Sequence, residues 1–115
     1  MIYMSEEQGM MTVAFSGELN RNNILPIRKN ILEGIGPGTK KIDFHFDNVG
    51  RMDAPAMAMM VIVIKYLQDK KISSKVTGLT GECINLATVL GLPYITEVEG
   101  KMENAISHRK NNINI

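Results

Sequence analysis

Val49-Gly50-Arg51-Met52-Asp53-Ala54-Pro55-Ala56-Met57-Ala58-Met59-Met60-Val61-Ile62-Val63-Ile64-Lys65-Tyr66-Leu67 is the stretch on which the fold turns. From Ala54 to Lys70 the chain is apolar for three turns and charged only at its end. Val61 to Ile64 alone would suit a β-strand, because β-branched side chains pack well on a pleated surface. The length of the run, its alanine and methionine content and the lysines that close it decide for a helix. Asp53 is suited to the N-cap, and Pro55 is tolerated in the first turn, where the N–H it lacks has no intrahelical partner anyway. A helix that is apolar nearly all round must be buried on several sides, against a sheet and against neighbouring helices. Its uncharged part, Ala54 to Ile64, is well short of the roughly 18 to 20 apolar residues that span a bilayer, so no transmembrane helix is expected.

Working outward, the flanking segments supply that sheet. Ile2 to Met4 and Met10 to Phe15 read as two antiparallel strands joined by a turn at Gly9, the second ending at Ser16 and Gly17. Asn20, Asn22 and Asn23 are N-cap candidates for a first helix in which Ile24, Leu25, Ile27, Ile31 and Leu32 recur at helical spacing. Pro26 fits its first turn, and Gly34, Gly36, Pro37 and Gly38 end it. Lys41 to Phe46 alternates as a strand with Ile42, Phe44 and Phe46 on one face and Asp43 and His45 on the other. Asp47 to Arg51 reads as a loop. Beyond the central helix, Ile72 to Thr77 is a strand closed by Gly78, and Gly81 to Leu90 a helix closed by Gly91. A strand near Tyr94 to Val98 and a last helix from Gly100 to about Arg109 complete the pattern, with a polar tail after Lys110 that frays.

The 115 residues are enough for one core and too few for two, so residues 1–115 are expected to form a single domain. At 44% hydrophobic and 22% charged, the composition is that of a self-folding globular domain. A formal net charge of +1 gives no field that would concentrate nucleic acid or an anionic membrane. One cysteine cannot form an internal disulfide, and no signal segment precedes the polar cluster at Ser5, Glu6 and Glu7, a pattern that favours the cytoplasm.

Signals for catalysis are thin. His45 has no second histidine or cysteine at metal-ligand spacing and reads as a surface or edge residue, so no metal is expected. Cys83 has no histidine near it in sequence and reads as a core residue. The glycines at 34, 36 and 38 follow a helix rather than a strand and lack the Lys-Ser/Thr pair of a phosphate loop. Ser16-Gly17 lacks a nucleophile elbow and no Ser, His, Asp trio suggests itself. These residues support neither an enzyme nor a cofactor. The methionines at 52, 57, 59 and 60 are the one unusual cluster, since flexible thioethers serve both cores and surfaces that bind varied partners.

Gly17-Glu18-Leu19-Asn20 after one strand, Asp47-Asn48-Val49 after another, Met52-Asp53 opening the long apolar helix, then Gly78-Leu79 and Gly91-Leu92 closing later elements, form an ordered set. Taken together, and over about Ile2 to Ile106, the chain resembles a bacterial STAS domain. The resemblance implies an α/β fold, a mixed sheet of about four to five strands covered by about four helices. It also implies a non-catalytic, protein-binding module like an anti-sigma factor antagonist in a partner-switching pathway of transcription regulation, whose partner is a serine-kinase-like anti-sigma factor. In familiar members the central helix opens Asp, Ser, Ser or Ala, Gly, and the first serine is phosphorylated to release the partner. Here the stretch is Asp53-Ala54-Pro55-Ala56. Asp53 is retained, but Ala54, at the phosphoacceptor-equivalent position, has no oxygen to receive a phosphate, and Asn20 replaces an acidic residue of the family's Gly-Glu-Leu-Asp motif. The partner-binding residues this implies are Asn20, Arg51, Met52, Asp53, Ala54, Met57 and Met60. A second role known in the family is that of a cytosolic accessory subunit bound to a transporter's ATPase subunit. From a different class comes a small-ligand sensor using the apolar helix as a pocket wall.

Overall fold

The computed structural model describes residues 1–100, with the elements β1 (Ile2–Glu7), β2 (Met10–Leu19), α1 (Ile24–Gly34), β3 (Lys41–Met52), α2 (Ala54–Asp69), β4 (Ser73–Leu79), α3 (Gly81–Val89), a short 3₁₀ turn (Leu92–Tyr94) and β5 (Glu97–Gly100). The expected helix from Gly100 to Arg109 and the tail after Lys110 lie outside the described residues, and Gly100 itself ends β5.

The five strands lie in the order in which they occur along the chain, β1–β2–β3–β4–β5. β1 and β2 pair antiparallel through the two-residue turn Gln8–Gly9, where φ is 52° and 84°. Positive φ at both central residues matches the right-handed twist of the flanking strands, and glycine fits the second position because a Cβ there would stand 2.9 Å from the Gly38 carbonyl oxygen. The other neighbours pair in parallel, and each needs a crossover: α1 joins β2 to β3, α2 joins β3 to β4 and α3 joins β4 to β5. Such crossovers are almost always right-handed. Three of them stepping in one direction therefore put all three helices on one face of the sheet.

Burial follows that topology. Met11, Val13 and Phe15 of β2, Ile42, Phe44 and Phe46 of β3 and Val76 of β4 are buried beneath the helices. The Phe15 ring stacks on Phe46 at 4.7 Å and lies 6.3 Å from Phe44. In-register rows such as Tyr3–Ala14–His45–Thr77–Glu99 occupy the alternate positions and face the other way, since successive side chains in a strand point to opposite faces. His45 therefore sits half-buried on the central strand and not at an edge.

β3 is longer than its alternation suggests. The segment expected to be a loop, Asp47 to Arg51, is strand, and β2 likewise runs past Gly17 to Leu19. Against β2, the partners advance from Ala14↔His45 to Ser16↔Asn48 and from Gly17↔Val49 to Glu18↔Arg51, one extra β3 residue each time. These are two β-bulges. Each resets the alternation by one residue, so inward-facing positions fall at Phe46, Val49 and Met52, three apart instead of two, and all are buried. β4 packs tightly at the first of them. Gly78, at φ 84°, sits so close to Asp47 that a Cβ would lie 2.6 Å from the Asp47 backbone nitrogen and carboxyl group.

α2 ends in a Schellman arrangement in which Lys71 N–H donates to the Gln68 carbonyl and Ile72 N–H to the Leu67 carbonyl. α3 begins at Thr80, whose hydroxyl accepts from Cys83 N–H at 3.4 Å, and Gly91 follows its end in the left-handed conformation. Cys83 is buried and unpaired by any disulfide. The stretch expected to be a strand from Tyr94 begins instead with the 3₁₀ turn, made favourable by Pro93 early in it, and β5 starts only at Glu97.

Candidate functional site

The start of α2 is held by one side chain. Asp53 has extended backbone, φ −92° and ψ 170°, and its Oδ1 accepts from Ala56 N–H at 2.9 Å, the usual work of an N-cap. Its Oδ2 accepts from the backbone N–H of Arg21 at 3.1 Å, a residue 32 positions earlier in the chain. The same carboxylate thus ties the β2–α1 loop to the helix start. Below it, Asp53 N–H donates to the Leu19 carbonyl at 3.2 Å, continuing the β2–β3 pairing.

That loop is itself closely knit. Asn20 Oδ1 accepts from Asn22 N–H at 2.9 Å, Asn23 Oδ1 accepts from Asn20 N–H at 3.0 Å, and Asn23 Nδ2 donates to the Glu18 carbonyl at 2.7 Å. Short amide side chains close such turns by bonding nearby backbone. Asn23 is the N-cap residue of α1 by position, but its side chain caps the loop rather than the helix. The result is a small platform in which Asn20, Arg21, Asp53, Ala54 and Pro55 are held together, with Arg51 exposed beside it and paired in register with Glu18.

Of the residues singled out from the sequence, Arg51 and Ala54 are exposed and Asn20 and Asp53 partly so. Met52, Met57 and Met60 are not on this surface: they are 8%, 1% and 1% exposed and belong to the core. The expectation that they face a partner is corrected for a geometric reason. On a helix of 3.6 residues per turn, Met57 and Met60 share the inward face with Ala56, Val63, Ile64 and Leu67, and Met52 is turned inward by the second bulge of β3. Met59 alone of the cluster reaches the surface, half-buried. Sequence reasoning missed Arg21, which contributes its backbone rather than its side chain; the only available hint was the density of asparagines around it.

The face of the sheet away from the helices carries a second polar group. Lys75 Nζ lies 3.4 Å from Glu97 Oε2 and 3.3 Å from Glu99 Oε2. The hydrogen bond that Lys75 donates to Glu99, then the charge of Glu97, raise the Lys75 pKa above its ordinary value. Among the described residues, no three His, Cys, Asp or Glu side chains come together as metal ligands would, and no helix is long and apolar enough to cross a membrane.

A mixed sheet with its helices on one face, and a long apolar helix opening at a capping aspartate beside the β2–α1 loop, define a small α/β domain class, and the family can be stated. Residues 1–105 match the STAS domain model, and the chain belongs to the STAS domain family. Among solved structures, it is similar to an anti-sigma factor antagonist from Mycobacterium paratuberculosis, at 12% identity and TM-score 0.77 with 94% of this chain and 92% of that one covered. It is also similar to RsbS from Moorella thermoacetica, at 13% identity and TM-score 0.74 with 99% and 98% covered. The STAS domain of a SulP transporter from Vibrio cholerae matches at 12% identity and TM-score 0.63, covering 96% and 88%. At these identities the likeness is one of fold. No curated protein matches the chain by sequence.

Proposed function

We propose that the chain is a non-catalytic, cytoplasmic protein-binding module that acts as an anti-sigma factor antagonist in a partner-switching pathway. Its docking face is the α2 start, formed by Asn20, Arg51, Asp53, Ala54 and the adjoining β2–α1 loop. The observation that carries this reading is the double use of Asp53, which fixes two segments from distant parts of the chain into one rigid, exposed surface. A surface already held in one conformation loses little entropy on binding. Its partner is a serine-kinase-like anti-sigma factor.

Ala54 makes this face unswitchable by phosphorylation at the usual position. A phosphate there would sit well against the positive end of the helix, yet the methyl side chain provides no acceptor oxygen. The module behaves as one permanently in the partner-binding state. Phosphate found on another hydroxyl, such as Ser16 or Thr80, and controlling binding would overturn that part of the reading.

The test is affinity capture from native lysate with three folded baits: wild type, Ala54→Arg and Arg51→Glu, both exposed substitutions that leave the core intact. Capture of a kinase-like anti-sigma factor by wild type, and its loss with Ala54→Arg, is the expected result. Capture that neither variant weakens overturns the docking face. A transporter ATPase subunit in its place would favour the accessory-subunit role, which the family resemblance also allows.

A further inference from the structure

α1 and α2 pack against each other, and one polar contact crosses between them. Arg28, in the second turn of α1, donates from Nη1 to the sulfur of Met59, in the second turn of α2, at 3.9 Å. Both side chains are half-buried. Met11, Met52, Met57 and Met60, by contrast, are between 1% and 8% exposed and belong to the core. Met59 thus differs from them twice over: it is partly open to solvent, and its sulfur faces a cation.

The contact is a weak one as it stands. A thioether is a poor acceptor, whereas hydrogen bonds from a guanidinium are strong when the acceptor is an oxygen carrying negative charge. No Asp or Glu forms an ion pair with Arg28 among the described residues, so no carboxylate competes for its donors. The distance also has a chemical reading. A sulfur–oxygen bond of about 1.5 Å and an N–H···O hydrogen bond of about 2.9 Å, meeting at about 120°, together span about 3.9 Å. That is the separation of Nη1 from the Met59 sulfur. One oxygen added to the sulfur on the side of Arg28 becomes a well-placed acceptor without either helix moving.

We infer that Met59 is an oxidation site, at which a hydroperoxide converts the thioether to a sulfoxide that Arg28 holds. In the step, a sulfur lone pair attacks one peroxide oxygen, the S–O bond forms and the O–O bond breaks. Sulfur is oxidised by two electrons and the peroxide is reduced. With hydrogen peroxide, the departing hydroxide takes the proton of the transferred oxygen and leaves as water. Rotation about the flexible end of the methionine side chain then turns the new oxygen to Nη1. Methionine sulfoxide ordinarily loosens the packing in which it forms, because a polar group replaces an apolar one. At Met59 the bond to a charged donor reverses the sign. Oxidation braces α1 against α2 close to the ends where Asn23 and Asp53 stand.

The test treats the full chain with hydrogen peroxide, reads the oxygen gained at each methionine by peptide mass mapping, and follows thermal unfolding before and after. Met59 is expected to be oxidised well ahead of Met11, Met52, Met57 and Met60. Met59→Leu keeps every other methionine and so gives the change in Tm that those cause. Relative to that control, oxidised wild type is expected to melt about 4–8 °C higher, the effect of a modest net gain from one hydrogen bond in a domain of this size. Arg28→Leu turns this gain into a loss. Oxidation of Met59 no faster than that of the core methionines overturns the inference, as does a wild type that gains nothing over Met59→Leu. Both of these readings stand whether or not Arg28→Leu folds. An equal gain in a folded Arg28→Leu protein overturns it too, because the sulfoxide would then be held by something else. Neither substitution lies in the α2 start, so the result is independent of the docking face proposed there.

Discussion

Asp53 is the residue on which the geometry of the α2 start depends, and two substitutions separate its two bonds. Asp53→Ala removes the acceptor for Ala56 N–H and the acceptor for Arg21 N–H together. Loss of an N-cap costs about 1 kcal/mol, and loss of the hydrogen bond from a backbone N–H to a charged acceptor costs about 1.5 kcal/mol more. The expected destabilisation is therefore about 2–3 kcal/mol. Asp53→Asn keeps an oxygen for Ala56 N–H, as asparagine caps nearly as well as aspartate. Its other terminal atom is an amide nitrogen, a donor, which then faces the Arg21 N–H donor. Asparagine should accordingly cost about 1 to 1.5 kcal/mol, roughly half the alanine loss. Urea unfolding of the three proteins, at equal m-values, measures both differences directly. Hydrogen exchange at Arg21 should accelerate in both variants, and exchange at Ala56 only in Asp53→Ala. If asparagine matches wild type within error, or if Arg21 exchange is unchanged, the link between the β2–α1 loop and the helix start carries no energy and the rigid-platform argument fails.

The buried methionines give the sharpest contrast with a surface reading. Met57→Ala should cost about 2–4 kcal/mol through the cavity it leaves, and Met57→Asp should prevent folding by burying an uncompensated charge; a folded Met57→Asp protein with a native-like melting curve would contradict the burial. At the bulge, Gly78→Ala meets both a positive φ and the Asp47 backbone 2.6 Å from the new Cβ, so a loss of about 2–4 kcal/mol in chemical denaturation is expected, and a change within 0.5 kcal/mol would refute the packing there. For Lys75, whose pKa is raised by its bond to Glu99 and the charge of Glu97, the sign is fixed: the folded state holds the proton more tightly. Its contribution is fully present below the ordinary lysine pKa, near 10.4, and is lost as pH rises through the higher folded value. Comparing wild type with Lys75→Met, the difference in stability should be flat across neutral pH, shrink only in strong alkali and diminish with added salt; a difference that vanishes between pH 6 and 8 would point to another group.

Much of this fold could be read from the order of the residues because its strongest signals are local. The apolar run after Asp53, too long for a strand and opened by a capping residue, already demanded a buried helix, and α2 spans Ala54–Asp69. Alternation in Lys41 to Phe46 identified the inward face of β3, and of the helical set Ile24, Leu25, Ile27, Ile31 and Leu32 the three isoleucines are the inward face of α1, while Leu25 is exposed. The ordered landmarks from Gly17 to Leu92 carried the family. The parts that were missed depend on contacts between distant segments. Asp47 to Arg51 breaks the strand alternation because two bulges shift its facing, and a bulge is defined by the partner strand, not by the residues that form it.

The candidate site divides along the same line. Asp53 as a cap and Ala54 as a position without a hydroxyl are properties of residue type and neighbourhood, and the sequence settled them by itself. Which methionines face the core could not be read from their number, because a helix that is apolar nearly all round gives no periodic contrast to orient it. The sheet did that, by burying one arc of α2 and leaving Ile62 and Tyr66 on another. Tertiary structure alone brought the backbone of Arg21 to Asp53, 32 residues away, and set the Arg28 guanidinium against the Met59 sulfur, 31 residues on. Chemistry at a single position is written in the residue; chemistry shared between positions exists only once the chain has closed around them.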